Sequence, residues 1–479
     1  MTEGRGGTVA LDLADAPANT RAMIRTADAP AGLGSWPGGK SAWLMVFMLF
    51  LAGVLSVIDR AALNILVDPV RADIGIGDEQ IGLLQGLAFG LFYAFMGLPM
   101  GLLADRISRR NLIVAGIALW SIATIGSGLA QTFGSLFTAR LMVGLGEAAL
   151  GPAAISLIAD LFSPARRGRP ISLYMMGQGL ANGIAISLTG LLVTAAGAGA
   201  FLGLPVIGHL VPWRIVFVVF GASGLVVALA LLAFTREPAR QTQAASGAAA
   251  RIPGAAEAAY FWRNRGVLLP LYFGFATCFT VAYGGSAWAP TMLLRGYGAD
   301  AAFLGKWLGP LSILFSAIGP LIGGTILDRS MRSGRTMARF AILSIAPFFA
   351  LPSVLAVMAG ELHFATVLVA SSNAVFSVIG TVMFATLQSV VPPRMRGSAI
   401  ALTLVLNTII GATLGPLMVA SVTERVLHDP AQVGWSIAMV CTPFLLIGAV
   451  LYGWAGRAMR RAAARGDSEC AGLLSSGAN

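Results

Sequence analysis

Four ionisable side chains sit inside apolar stretches of this chain: Asp59 and Arg60 close the run SVIDR, and Arg140 and Glu147 lie in ARLMVGLGE. An ionisable group within a membrane-crossing segment is costly, and its default meaning is an ion or proton path. Arg140 and Glu147 are seven residues apart, close to two helical turns, so both project from one helix face. Asp59 and Arg60 are adjacent, point about 100° apart on a helix and cannot pair face to face. Their partners must come from another segment, and the oppositely charged positions around 140 and 147 are the candidates. The chemistry such a set could perform is proton exchange, with Asp59 and Glu147 gaining and losing protons and Arg60 and Arg140 as counter-charges. A carboxylate facing an arginine stays ionised; when the arginine is drawn to an anionic substrate, desolvation favours the protonated form. A permanently paired network that fixes helix packing is the competing reading.

The elements that must position these groups are apolar helices. The chain has 479 residues, 57% of them apolar and only 11% charged, with a mean hydropathy of +0.80, and so few charges cannot cover a soluble domain of this size. A membrane span needs about 20 mostly apolar residues. Twelve stretches qualify: 42–67, 80–103, 111–131, 135–159, 170–195, 212–235, 267–293, 303–327, 337–357, 362–388, 397–421 and 434–457. In lipid these must be helices, which predicts an all-α membrane protein of twelve transmembrane helices arranged as two six-helix bundles, 42–235 and 267–457. Residues 1–41 read as a disordered cytoplasmic tail, 236–266 as a cytoplasmic linker and 458–479 as a second cytoplasmic tail. The apolar connection 196–211 reads either as a partly buried loop or as an extension of the fifth helix.

Orientation follows from arginine. The loops after spans 2, 4, 8 and 10, the linker and the C-terminus carry Arg106, Arg109, Arg110, Arg166, Arg167, Arg169, Arg329, Arg332, Arg335, Arg394, Arg396, Arg457, Arg460 and Arg461, whereas the first opposite loop is acidic, with Asp68, Asp73, Asp78 and Glu79. Positive residues stay inside, so both termini are expected in the cytoplasm of a bacterial cell, with the chain in its inner (plasma) membrane. The formal charge of +11 is spread over these loops and gives no nucleic-acid patch. Cys278, Cys441 and Cys470 are far apart, His209, His363 and His428 are scattered, and the single GK[ST] sequence, Gly39-Lys40-Ser41, runs directly into the first apolar stretch. Neither a metal site, a cofactor, ATP-driven transport nor an enzyme's nucleophile and base is expected.

The halves repeat. GLLADRISRR at 101–110 returns as GTILDRSMRSGR at 324–335, so that Asp105-Arg106 recurs as Asp328-Arg329, and PARRGR at 164–169 returns as PRMRG at 393–397. Parallel six-span repeats are a recognised transporter architecture, with the substrate path between them. Gly101, Asp105, Arg106, Arg109 and Arg110 resemble the signature loop of the major facilitator superfamily, with Ser108 where that family usually has a second glycine. An aspartate at one helix end facing another helix N-terminus, with arginines around it, makes a latch that forms in one conformation and breaks in the other; positive-inside anchoring is the plainer reading.

VIDR at 57–60, IGLLQGLAFGLFYAFMGLPMGLLADR at 81–106, LW at 119–120 and ARLMVGLGEAALGPAAISLIADLF at 139–162 further resemble the Spinster branch, whose animal members move lysophospholipids and sphingosine phosphate; Val57 stands where that branch usually has an aromatic. The resemblance implies a monomeric secondary transporter in which the four membrane charges matter, with a lysolipid-like or other amphipathic anion as substrate and with protons and membrane lipids as partners. The organic anion:cation symporters, which also carry an Asp-Arg in the first span, imply a small organic acid instead. A receptor or scaffold that kept the fold is the reading from another class, disfavoured by four costly charges. Neutral candidates for substrate contact are Asn64, Gln85, Gln178 and Asn182 in the first half and Tyr283, Trp288, Asn373, Gln388 and Asn407 in the second, each of which also reads as an interhelical hydrogen bond. Gly97-Leu98-Pro99 is expected to bend the second span.

Overall fold

A computed structural model describes residues 39–205, 207–240, 255–332 and 337–464; the N-terminal tail expected to be disordered lies outside the described residues before 39, as do the expected C-terminal tail after 464 and residues 241–254 of the expected linker. Among the described residues, eleven helices are long and apolar enough to cross a membrane. In chain order the spans are α1 (Lys40–Asn64), α2 (Asp78–Gln85 and Leu87–Arg106), α3 (Arg109–Leu129), α4 (Phe133–Leu161), α5 (Gly168–Gly197), α6 (Pro212–Phe234), α7 (Arg265–Tyr297), α8 (Ala301–Ser330), α9 (Ala338–Val354), α10 (Leu362–Val390), α11 (Arg396–Leu427) and α12 (Pro430–Ala464). The shorter member is α9, expected over 337–357. Its helix passes into a 3₁₀ turn at Ala346–Ala350 before Leu351–Val354, because Pro347 and Pro352 remove two amide donors from the ladder.

Other boundaries shift for identifiable reasons. The fifth helix ends at Gly197, and the connection after it is a run of turns with Gly199 at φ 84°, so it is a loop and not a helical extension. Helix α2 runs unbroken through Pro99; its interruption is at Gly86, where the neighbouring α11 backbone comes so close that a Cβ would meet the Thr413 carbonyl oxygen at 2.5 Å. Within the expected linker, Ala255–Arg263 forms a helix, and the buried Tyr260 donates its hydroxyl proton to the Val390 carbonyl, 2.8 Å away. The last helix continues to Ala464, beyond the expected end at 457.

Helices α1 to α6 and α7 to α12 form the two bundles. One buried apolar cluster fills the second bundle and continues across the junction into the first through Ala61, Leu63, Leu66, Val70, Ile81 and Leu84. A second cluster, around Met45, Leu49, Ile113, Trp120, Leu157 and Ile158, stays within the first bundle. The halves are therefore fused at the end near residues 61–84, and there they approach through small residues. Gly82, Gly86 and Gly90 of α2 lie against α11, and Gly183 of α5 lies so near α8 that a Cβ would meet the Gly309 carbonyl at 2.7 Å. Small residues let membrane helices approach closely without a hydrophobic driving force between them.

Candidate transport site

Helix α1 delivers two of the four membrane charges at its C-terminal end, where the α-helix Lys40–Ala61 gives way to a 3₁₀ turn at Ala62–Asn64. Ser56 and Arg60, four apart, share one face and meet Glu147; Asp59, rotated from them, meets α3. The Ser56 hydroxyl donates to Glu147 Oε2 at 2.6 Å, and Arg60 Nε lies 3.3 Å from the same oxygen. Arg60 Nε also donates to the Ser56 carbonyl at 3.4 Å, so Ser56 touches both members of the pair. Thr124 of α3 donates to Asp59 Oδ2 at 3.1 Å.

Helix α4 reaches this place because glycines let it in. A Cβ at Gly144 would meet the Phe89 carbonyl of α2 at 2.5 Å, and one at Gly146 would meet the Gly116 carbonyl of α3 at 2.7 Å. Immediately after Glu147 the helix is interrupted at Ala148 and Ala149. The spacing of Arg140 and Glu147 does place both toward α1, but Arg140 does not face the Asp59 carboxylate. Its Nη1 donates to the Asp59 backbone carbonyl at 2.8 Å, in the last turn of the helix Lys40–Ala61. Arg140 is a cation at a helix C-terminus, favourable also for the helix dipole, and it stacks 4.6 Å from the Phe217 ring centroid.

The two pairs differ in access. The Arg60 side chain is 32% exposed and lies over Phe89, 4.7 Å from the ring centroid, with Tyr93 at 5.9 Å. Asp59, Arg140 and Glu147 are buried. Within that buried set, Asp59 Oδ1, Glu147 Oε1, and Arg140 Nε and Nη2 find no hydrogen-bond partner. A charge at the centre of a span costs about 2.5–3.5 kcal/mol on insertion scales, and a purely structural role could be filled by apolar residues at less cost. Retained capacity for further hydrogen bonds suits a site that changes partners.

The neutral candidates separate into groups. Asn64 and Gln85 bridge the halves: Gln85 Nε2 donates to Asn64 Oδ1 at 3.2 Å and to the Ala287 carbonyl at 3.3 Å, and Asn64 Nδ2 to the Ser286 carbonyl at 3.4 Å. Trp288 is fully buried and ties α7 to α11 through the Pro416 carbonyl at 2.9 Å. Asn373 bonds back to Ala370 in its own helix, Gln388 is exposed, and Asn407 is buried beside Gly411. Gln178 and Asn182 of α5 are half-buried, and Gln178 lies against Gly53 of α1. Tyr283 is 37% exposed and ends a ring series on α7, with Phe275 and Phe279 centroids 4.2 Å apart and Phe279 and Tyr283 6.3 Å apart.

Around the signature loop the structure assigns partners that sequence reasoning did not name. Arg109 is buried and donates to Asp160, to Ser156 Oγ at 2.9 Å and to Glu237 Oε1 at 3.0 Å. Glu237 also accepts from Ser108 Oγ at 3.0 Å and from the Arg110 amide at 2.7 Å. Burial pushes the Glu237 carboxyl up, but the Arg110 amide, the Arg109 and Ser108 side chains and the Arg109 charge outweigh it and hold it below the usual glutamate value. Ser108 accepts from the Asn111 amide at 3.2 Å and is the N-cap of α3, which accounts for a serine in place of glycine. Arg240 donates to the carbonyls of Ala104 and Ile107 at 2.9 and 2.7 Å and to that of Asp105. Gly101 and Asp105 are half-buried, Arg106 is exposed, and Arg110 donates to the Leu232 carbonyl. Asp328 and Arg329 are both exposed. The missed residues, Ser56, Thr124, Asp160, Glu237 and Arg240, are ordinary in type, and only the charged ones carried a signal, in that each lies at a span end next to an arginine-rich loop.

The profile of the Major Facilitator Superfamily matches residues 49–416, which include α2, α4, the signature loop and its repeat. The chain belongs to the Major Facilitator Superfamily. Among its relatives, an MFS-type efflux pump of Mycolicibacterium smegmatis is 26% identical over 429 residues, covering 88% of this chain and 95% of that one. A probable galactarate/D-glucarate transporter of Bacillus subtilis is 28% identical over 329 residues, 63% of this chain and 68% of that one. The crystal structure of a bacterial homologue of the human lysosomal transporter Spinster, inward-facing and unoccupied, superimposes with a TM-score of 0.74 at 26% identity, covering 88% of this chain and 99% of the other. The Spinster-like character read from 57–162 is thereby shown, and family and fold together make this facilitator a multi-pass membrane transporter.

Proposed function

We propose that the protein couples proton movement to the passage of an amphipathic organic anion by alternating access. The observation that carries this reading is the shared contact of Ser56 and Arg60 with one oxygen of the buried Glu147, with Arg60 alone of the four charges reaching open space. An anion entering between the halves would draw Arg60 toward itself. Glu147, left in a low-dielectric site without its cation, would then be neutralised by taking up a proton. Asp59, sealed between Thr124 and the end of α1, is the second proton-carrying group, and Arg140 holds the helix end that bears it.

The substrate's apolar part is suited to the rings on either side. Arg60 rests on Phe89 beside Tyr93, and α7 offers Phe275, Phe279 and Tyr283 at four-residue spacing. The likeness to a galactarate/D-glucarate transporter favours a small organic acid as the second reading. Positive-inside topology would place the arginine-rich loops and both termini in the cytoplasm of a bacterial inner membrane. The fused end would then face outward, in keeping with the inward-facing neighbour; a monomer suffices, since both halves of the site lie in one chain.

Binding of a lysophosphatidate, a fatty acid, galactarate and a neutral monoacylglycerol to the detergent-purified protein tests the substrate class. The amphipathic anions should raise the unfolding temperature of the wild type and not of Arg60→Ala. Stabilisation by galactarate alone would select the second reading, and stabilisation by the neutral lipid that survives Arg60→Ala would contradict both.

A further inference from the structure

The fused end is held by charges that the proton path does not use. Arg295, in the last turn of α7, donates through Nε and Nη2 to Asp68 Oδ1 at 2.9 and 2.6 Å. Through Nη1 and Nη2 it donates to both oxygens of Asp78 at 2.8 and 2.9 Å, and Nη1 also reaches the Pro430 carbonyl at 3.0 Å. The Arg295 side chain is 9% exposed and that of Asp78 only 2%. Arg295 belongs to the second half, and both aspartates belong to the first, so the fork must come apart whenever the halves separate at this end. Bidentate arginine–carboxylate pairing is strong and geometrically specific. A partly buried pair of this kind is stabilising only while both members remain together.

The arrangement makes separation feasible. Arg71, on the same half as the aspartates, has Nε 3.1 Å from Asp78 Oδ1 and Nη1 3.7 Å from Asp68 Oδ1. When Arg295 withdraws, both carboxylates keep a cation, and only Arg295 has to be taken up by water. A second, peripheral pair repeats the theme, Arg425 of α11 with Glu79 at 2.5 and 3.0 Å, the Glu79 amide donating to Glu424 at 2.7 Å. One turn inward from the fork lies the Asn64–Gln85 bridge to the Ser286 and Ala287 carbonyls. Arg60, Asn64 and Asp68 follow one another at four-residue intervals along the 3₁₀ break and the short helix Val67–Ile74.

We propose that Arg295 is the releasable lock of the fused end, with Arg71 as the residue that makes release affordable, and that segment 61–68 ties its opening to the Arg60–Glu147 pair. The lock stands on its own geometry; the tie to Arg60 rests on the reading given under Proposed function. Conformational coupling of this kind is typically worth a factor of about 5–150 in an equilibrium.

Nitroxide labels at Ala72 in the first half and Ala431 in the second, both exposed, report the separation by pulsed EPR on the full chain in lipid nanodiscs. The otherwise unaltered protein should give one dominant short distance. Arg295→Gln should raise a longer-distance population by about tenfold, and Arg295→Lys should restore most of the short one. Asp68→Asn removes part of the fork without stranding a buried charge, and should give a smaller rise in a protein that folds normally. Unchanged distance distributions in folded Arg295→Gln, or in Asp68→Asn should Arg295→Gln not fold, would overturn the lock. A changed distribution in protein that shows no proton-linked uptake would leave the lock standing and remove the reading of Arg60 and Glu147.

Discussion

In the first half the signature loop leads to an arginine, Arg109, whose guanidinium is buried among Asp160, Ser156 and Glu237; in the second half Arg332, at the position that repeats Arg109, is exposed. The same asymmetry runs through the interior. Helices α1 and α4 carry Asp59, Arg60, Arg140 and Glu147, whereas the described interior of α7 and α10 offers rings, Phe275, Phe279 and Phe384, with the Phe275 and Phe384 centroids 5.5 Å apart. Repetition of sequence has preserved the architecture of six helices and six helices without repeating the chemistry. One half holds the buried charges, and the other supplies an apolar ring series and the Ser286 and Ala287 carbonyls met by the Asn64–Gln85 bridge.

Substitutions in the two halves should break this comparison unequally. Arg109→Ala would remove the buried guanidinium that Asp160, Ser156 and Glu237 share and should destabilise the protein by about 3–5 kcal/mol, while Arg332→Ala should stay within about 0.5 kcal/mol; thermal unfolding in one detergent compares them directly. Equal effects would mean that the two loops are used alike. Ser56→Ala removes a donor to the buried Glu147 carboxyl and, with Glu147 ionised as proposed, should cost about 1.5–3 kcal/mol. Thr386→Val in α10, whose hydroxyl bonds to the Val382 carbonyl of its own helix, should cost less than about 1 kcal/mol.

The smallest effect concerns pH at the linker. Glu237 has a carboxyl held below its ordinary value, so its contribution to docking the linker on the signature loop is fully present above the unfolded glutamate value. That contribution is lost as pH falls through the depressed folded value. Hydrogen exchange of residues 108–112 and 236–240 should therefore quicken on acidification. In Glu237→Gln it should be faster at neutral pH and nearly insensitive to acid; a wild type whose exchange shows no such acid dependence would remove Glu237 from the loop's support.

Much of the fold was legible because lipid leaves few choices. Apolar runs of sufficient length have to be helices, arginine-rich turns mark one side, and Asp105-Arg106 against Asp328-Arg329 exposes the repeat. What periodicity does not carry is where a ladder breaks. The interruption of α2 lies at Gly86 and not at Pro99 because α11 presses its backbone there, a tertiary cause with no local signal. The connection 196–211 is apolar enough for a helix, and Gly199 at positive φ makes it turn. At the candidate site the four charges announced themselves by their cost, and opposite charge pointed to the pairing of Arg60 with Glu147, but the partner of Arg140 did not show. Arg140 could not be distinguished in sequence from a counter-ion to the Asp59 carboxylate, since its hydrogen-bond partner is the Asp59 backbone carbonyl in the last turn of α1. Ser56 and Thr124 gave no signal because hydroxyls are common in membrane helices and bond within their own helix by default. Arg295 was invisible as a lock because its meaning lies in partners more than 200 residues away, Asp68 and Asp78.

The central claim is that protons travel with substrate through the carboxylates of the first half. Proteoliposomes with a trapped pH indicator, challenged with an amphipathic anion shown to bind, test it most directly when wild type is compared with Glu147→Gln and Asp59→Asn. The account predicts a substrate-evoked pH change in wild type that falls to the background of empty liposomes in both variants, with substrate binding retained in at least Asp59→Asn. Substrate movement without any pH change in wild type, or a pH change of full size in Glu147→Gln, would contradict it and return the four charges to a structural role.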